Sequence, residues 1–123
     1  MEPETRHTFS RDERLKRRDD FRRCITQGGR AAGKYVVVHV AGNELGRTRL
    51  GAGSTRRLGN AVHRNRQKRL VREAFRLTRH ELPDGVDLVV LPKLPWQAPS
   101  LDELKVDLVR TAQRAAAKLG ERV

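Results

Sequence analysis

The side chains best suited to a chemical task lie in one stretch of the sequence, residues 59–76, which is rich in arginine and lysine. Arginine presents a planar fork of N–H donors that matches phosphate oxygens and also stacks on bases. Asn65, in the middle of this stretch, supplies both a donor and an acceptor for a sugar hydroxyl or a base edge. These residue types predict a surface that binds nucleic acid.

The charge of the chain is concentrated in the same region. The 123 residues include 27 Lys+Arg and 15 Asp+Glu, for a net charge of +12. Residues 56–80 hold nine basic residues and one acid, Glu73, so this segment alone carries +8. A solvated helix face usually alternates acids with bases. Concentration of one sign in one element instead favours a polyanionic partner.

Other functional classes find little support in the composition. A single cysteine, Cys24, excludes an intramolecular disulfide, and no pattern of histidines, acids or nucleophiles predicts an active site or a metal site on the protein. The longest apolar run, residues 35–42, is far shorter than the roughly 20 residues of a membrane helix. The N-terminus lacks the apolar stretch of a secretory signal. We therefore expect a cytoplasmic protein.

The elements before the basic stretch are a helix and short strands. Ser10 and Glu13 form a capping-box pattern, which predicts a helix that ends at residues 28–29 and carries on one side Leu15, Phe21 and Ile25. Residues 35–40 are β-branched and predict a strand with Tyr35, Val37 and His39 on one face. Residues 49–54 predict a further strand, and a short extra strand is expected around residues 30–33.

The basic stretch itself predicts a long helix over residues 61–81, capped by Asn60. At about 100° per residue, its cations fall on one side, with Leu70, Val71, Ala74, Leu77 and Thr78 on the other. Residues 87–91 predict a buried strand and residues 92–99 a loop that contains Trp96. Ser100 and Glu103 predict a capping box for a last helix, which would pack through Leu101, Leu104, Leu108 and Ala112.

Together these elements predict an α+β fold, a two-layer α/β sandwich in the order α-β-β-β-α-β-α. The chain, residues 1–123, is expected to be a single RNA-binding domain with a flexible segment at residues 1–10. Duplex DNA is a possible partner for a basic helix, but no helix and turn precede it as in a helix-turn-helix. Phe21 and His39 favour RNA, because they could stack unpaired bases in a groove. Phe21 is equally compatible with a core position, and a lone strand histidine such as His39 is more often a surface or satisfied core residue than a contact.

Several segments together resemble the signature of the bacterial ribonuclease P protein subunit. The similarity covers about the first 95 residues and is carried by residues 49–51, 59–62 and 64–76. Shorter matches occur at residues 14–15, 20–21, 28, 80–83 and 87–90. The resemblance implies a left-handed β-α-β crossover around the basic helix and a fold like the second domain of the fifth small-subunit ribosomal protein.

The resemblance also implies a role. Such a subunit binds the catalytic RNA of ribonuclease P, which with bound Mg²⁺ removes the 5′ leader of precursor tRNA. The protein would then be the accessory subunit of an endoribonuclease, with no catalytic residue and no metal of its own. The RNA-binding positions would be Arg56, Arg57, Asn60, Arg64, Asn65, Arg66, Lys68, Arg69, Arg72 and Arg76. The leader cleft would comprise Phe21, Ile25 and His39, although Ile25 cannot stack as the aromatic residue common in the family would.

The expected assembly is one protein per catalytic RNA, with a monomeric free protein and neither membrane nor DNA as a partner. The alternative is a non-catalytic ribosomal or structural RNA-binding protein, because size and charge suit that role equally well.

Overall fold

The structure is a computed structural model that describes residues 13–121. Three helices and four strands follow one another in the order that the sequence predicts: α1 (Arg18–Gln27), β1 (Gly29–Ala32), β2 (Val36–Gly42), β3 (Arg49–Ala52), α2 (Ala61–Thr78), β4 (Val86–Pro92) and α3 (Leu101–Glu121). Short 3₁₀ turns at Arg56–Leu58 and Arg79–Glu81 precede and follow α2. The predicted α+β fold is confirmed.

The four strands form one mixed sheet in the order β1-β2-β4-β3. β2 pairs antiparallel with both β1 and β4, whereas β3 and β4 run parallel. The chain therefore leaves β3, passes through α2 and returns to the neighbouring strand, which is the predicted β-α-β unit. This arrangement places the basic helix next to the edge strand β3.

Alternate residues of the central strands serve two cores. Val38 and Val40 of β2 and Leu88 and Val90 of β4 belong to the main core, which α2 and α3 cover. Val89, on the other face, packs with Leu15, Cys24 and Ala41. The sheet with α2 and α3 thus forms the predicted sandwich, and α1 lies across the opposite face.

Hydrogen bonds fix the first two turns of the last helix, α3. Glu103 N–H donates to Ser100 Oγ and Ser100 N–H donates to Glu103 Oε1, which confirms the predicted capping box. One turn later the Asp107 carboxylate accepts hydrogen bonds from three successive backbone N–H groups at the start of β2, those of Lys34, Tyr35 and Val36, at 2.8, 2.8 and 3.2 Å. This carboxylate fixes α3 to the turn between β1 and β2.

The start of α1 differs from the prediction. Ser10 and residues 1–10 lie outside the described residues, and α1 begins at Arg18 without a side-chain cap. Leu15 is not on the helix, because its N–H donates to the carbonyl of Leu50 at 2.8 Å and Arg14 forms a parallel bridge to the same residue. Pairing with the β3 edge therefore outweighs local helix preference. Two elements are also shorter than predicted: β3 ends at Ala52 instead of residue 54, and α2 ends at Thr78 instead of residue 81.

Candidate nucleic-acid interface

The first turn of α2 is set by two polar caps. Asn60 Oδ1 accepts a hydrogen bond from the backbone N–H of His63 at 3.1 Å, which confirms the predicted cap. In the preceding 3₁₀ turn, Thr55 Oγ1 accepts from Arg57 N–H in the same way. Gly59 joins the two caps with φ 144°, a conformation open to glycine. The caps bring Arg56 and Arg57 next to the start of α2.

Helix α2 separates apolar from charged side chains as its sequence predicts. Val71, Ala74, Phe75 and Thr78 are buried, and Gln67 joins them on the buried side. The solvent side carries most of the predicted RNA-binding positions. Exposed are Arg56, Arg57, Asn60, Asn65, Arg66 and Arg69, and partly buried are Arg64, Lys68, Arg72 and Arg76. We call these ten residues the basic face.

Two cations of this helix region have acidic partners. Arg76 Nε donates to Glu73 Oε1 at 3.0 Å, and a second bond joins the same two side chains. Hydrogen bonding from Arg76 lowers the pKa of Glu73, so the single acid of the basic segment stays ionised and paired. Arg79 forms an ion pair with Glu13. Both of these paired cations lie toward the C-terminal end of α2, beyond its first three turns.

A groove of about 220 Å³ separates the segment before α1 from β3 and α2. Phe21 and three cations line it, namely Arg14, Lys16 and Arg72. The Phe21 ring lies directly on the backbone of Gly51, since a Cβ at that glycine would come within 2.5 Å of Phe21 Cζ. Arg14 and Arg72 are like charges that both line this Phe21 groove. Burial and the charge of Arg14 lower the pKa of Arg72. An aromatic ring beside clustered cations is the arrangement that single-strand binding uses.

The other two predicted leader positions differ in accessibility. Ile25, one helical turn after Phe21, is 44% exposed. His39 is only 6% exposed, and its register partners on the two flanking strands are Arg30 and Val89. Burial and the charge of Arg30 lower the pKa of His39, so its ring is neutral at pH 7. His39 was predicted to face the leader, but its side chain is largely buried inside the protein.

A buried carboxylate joins the elements that border the Phe21 groove. Asp87, fully buried on β4, accepts hydrogen bonds from Arg23 of α1, Arg49 of β3 and Asn43, all at 2.8–2.9 Å. Burial alone would raise the pKa of Asp87, but the bonds from Arg49 and Asn43 and the charges of both arginines outweigh it and lower the pKa. Asp87 thus remains charged and fixes α1 against the sheet.

The Cys24 thiol is a further reactive group within the described residues. Burial, with the Asp87 charge, raises the pKa of the Cys24 thiol to about 11, so it remains protonated at neutral pH. Within residues 13–121 no three His, Cys, Asp or Glu side chains are grouped so that they could hold a metal ion. In the same range no helix has the length and apolar character needed to cross a membrane. The basic face and the Phe21 groove present cations, amides and an aromatic ring.

Comparison with known proteins places this geometry in a family. The family model for ribonuclease P matches residues 9–116. The chain belongs to the ribonuclease P protein family. The ribonuclease P protein component of Pelotomaculum thermopropionicum is 32% identical over 101 residues, covering 82% of this chain and 90% of the relative, and that of Brevibacillus brevis is 35% identical over 106 residues, covering 85% and 84%.

Solved structures of ribonuclease P proteins show the same fold. The protein from Thermotoga maritima aligns with a TM-score of 0.74 and 32% identity, over 83% of this chain and 96% of that one. The protein from Staphylococcus aureus aligns with a TM-score of 0.72 and 30% identity, over 87% and 96%. The recognition of a ribonuclease P protein from its sequence motifs is confirmed.

The ribonuclease P fold also brings together residues that sequence reasoning did not assign to a site. Arg14 and Lys16 enter the Phe21 groove because the segment before α1 runs along β3 instead of continuing the helix. Gln67 and Trp96 both line a second, larger cavity between α2 and the loop at residues 93–99. The sequence feature that could have indicated this cavity was Trp96, the single tryptophan of the chain, in a proline-rich loop.

Proposed function

We propose that this chain is the protein subunit of ribonuclease P. In this role it binds the catalytic RNA through the basic face and the 5′ leader of precursor tRNA through the Phe21 groove. The RNA subunit performs the hydrolysis that releases the mature 5′ end of the tRNA. The observation that carries the proposal is the concentration of exposed cations on α2 and the turn before it, in a chain that belongs to the ribonuclease P protein family.

Contact with the catalytic RNA is supported by the geometry of α2. A helix holds Arg66 and Arg69 in a fixed spacing, so that both can meet phosphates of a folded RNA without reordering the backbone. Asn65, exposed next to Arg66 and one turn before Arg69, adds a donor and an acceptor for ribose or base edges. Each phosphate contact releases counterions, so binding should weaken with salt.

Leader binding is supported by the Phe21 groove. A stacking ring with Arg14, Lys16 and Arg72 around it offers a single strand both a surface for a base and partners for its phosphates. Ile25 extends this surface by one helical turn without a ring. His39 has little surface to offer the leader, so the groove relies on Phe21 for stacking.

The division of labour follows from the types of residue at these surfaces. Cations and amides bind RNA, and Glu73, the acid within the basic segment, is already paired with Arg76. We therefore propose that Mg²⁺ is held mainly by the RNA, where it supports attack of water on the phosphodiester. The proposed assembly is one protein per catalytic RNA in the cytoplasm, with a free protein that is monomeric.

Reconstitution with a bacterial ribonuclease P RNA at low magnesium tests the proposal. The wild-type protein should increase both precursor affinity and cleavage. Arg69→Ala should weaken binding to the RNA and reduce the slope of log K against log salt by about 0.7–0.9, the loss of one phosphate contact. Arg110→Ala, which removes an exposed arginine from α3, is the matched control and should leave both values unchanged.

Two results would contradict the proposal. Cleavage and precursor affinity that do not respond to the protein would remove it from ribonuclease P. Salt-resistant co-sedimentation with ribosomal particles, without any effect on cleavage, would instead identify a structural RNA-binding protein.

A further inference from the structure

A cavity of about 1110 Å³ lies between α2 and the loop at residues 93–99. It is somewhat larger than typical small-molecule sites of roughly 300–1,000 Å³. Its walls are largely apolar and include Leu58, Leu70, Leu94, Pro95 and Pro99. The Phe21 groove shares no lining residue with it. We call it the Trp96 cavity, after the half-buried indole that forms part of its wall.

Gln67, one of the residues that line this cavity, has a buried amide without a partner among the described residues. Gln67 is 2% exposed, yet neither its Oε1 nor its Nε2 has a hydrogen-bond partner in the described part of the chain. Buried polar groups in proteins are nearly always bonded. A carboxamide presents an acceptor beside a donor, which matches the paired donor and acceptor on the edge of a nucleobase, as in the pairing of Asn or Gln with adenine. The amide therefore points to a ligand with such an edge.

The other lining residues supply a surface on which a base can stack and cations that can bind a phosphate. Trp96 offers an aromatic surface on which a base can stack. Arg57, Arg66 and Arg69 surround the cavity, and the only acid in its lining is Glu73, which is paired with Arg76. This charge selects a phosphate-bearing ligand over an apolar peptide or a second copy of the equally basic chain.

We propose that the Trp96 cavity binds one unpaired nucleotide of RNA. Its base stacks on Trp96 and bonds to the Gln67 amide, and its phosphate contacts Arg66 or Arg69. The inference rests on the proposed function for the identity of the polymer as RNA. The same nucleotide chemistry occurs in the catalytic RNA and in precursor tRNA, so the experiment treats them separately.

The fluorescence of Trp96 reports on this site directly, because it is the only tryptophan in the chain. The full-length protein is titrated with ribonuclease P RNA in one arm and with precursor tRNA in the other. Stacking of a base on Trp96 should change its emission in proportion to the RNA bound. The RNA whose titration produces this change is the source of the nucleotide. Emission that stays constant while both RNAs bind overturns the inference.

Gln67→Met removes the amide but keeps a similar shape. We expect about tenfold weaker binding of the RNA identified by fluorescence, the usual size of one lost base contact. Stability to urea should be unchanged or higher, because the variant no longer buries an unpartnered amide. Gln113→Met, at an exposed position on α3 outside the cavity, is the control and should bind like wild type.

The results separate this inference from the proposed function. Wild-type affinity in folded Gln67→Met, with normal reconstitution of cleavage, overturns the nucleotide pocket alone. A wild-type protein that binds neither RNA overturns both. If Gln67→Met does not fold, Trp96→Leu tests the same cavity at a half-exposed position, with the same tenfold loss expected and unchanged affinity counting against the pocket.

Discussion

Replacing Asp87 by asparagine tests whether one buried charge holds α1 in place. The carboxylate accepts two bonds from Arg49, one from Arg23 and one from Asn43. Asparagine keeps the shape of the side chain, removes the charge and replaces one acceptor with a donor. Both arginines would then face a neutral group. The change therefore isolates the electrostatic part of the attachment between α1, β3 and β4.

The size of the effect follows from how deeply the three groups are buried. Removing one partner of a buried ion pair costs about 3–5 kcal/mol. Asp87 is fully buried, but the side chains of Arg49 and Arg23 are 18% and 34% exposed, so water screens part of the interaction. We therefore expect the lower end, about 3 kcal/mol. For a domain of this size that loss lowers Tm by roughly 10–15 °C.

Urea unfolding and RNA binding together check this reasoning. Asp87→Asn should lose about 3 kcal/mol of unfolding free energy and weaken leader binding, while affinity of the basic face for the catalytic RNA is retained where the variant is folded. Asp19→Asn, at an exposed position in the first turn of α1, should lose less than about 1 kcal/mol. A loss at Asp87 no greater than at Asp19 would refute the role assigned to the buried charge.

The same carboxylate predicts a pH dependence. The pKa of folded Asp87 lies below its ordinary value of 3.8, so its stabilisation is complete above that pH and disappears as the pH falls through the folded pKa. The difference in unfolding free energy between wild type and Asp87→Asn should be constant from about pH 7 to 5 and shrink below about pH 4. A difference that persists at lower pH would show that the loss is steric.

Three further changes test the site. Phe21→Ala should weaken binding of precursors with long leaders by roughly 5- to 150-fold, the range for one stacked base, and equal loss for leaderless tRNA in a binding assay would indicate a core role instead. Gly51→Ala should produce the same selective defect in that assay, because the new Cβ lies 2.5 Å from the Phe21 ring and must displace it; normal leader affinity would contradict the observed contact. Asn60→Ala should cost about 1 kcal/mol in urea unfolding and Asn60→Ser much less, since serine also caps helices, so equal losses would argue against the cap.

Local sequence signals predicted those parts of the fold that depend on neighbouring residues. The Asn60 cap of α2 and the capping box of Ser100 and Glu103 join groups three positions apart, and both are present. The Ser10 capping pattern suggested a helix through Leu15. The described segment there is extended, because Leu15 bonds to Leu50, a contact between residues 35 positions apart that no local pattern encodes.

Long-range contacts also account for what sequence reasoning missed in the site. Residue 87 was predicted to lie in a buried strand, but its partners Arg23 and Arg49 are brought to it only by the folded sheet. His39 was assigned to the leader cleft as a residue that could stack a base, yet it is only 6% exposed in the folded sheet. Gln67 lies within a run of cations in the sequence, and only the folded chain shows that it is buried and lines the same cavity as Trp96.

The Asp107 carboxylate has a consequence for how the protein is made. It satisfies three backbone N–H groups at residues 34–36, more than 70 positions earlier in the chain. Synthesis proceeds from the N-terminus, so the ribosome must deliver residue 107 before the turn between β1 and β2 gains its partner. The apolar side of α2 likewise gains its packing partners on α3 only when α3 has been synthesised. Between the synthesis of α2 and that of α3, the cationic helix is thus a nascent segment beside an incomplete core.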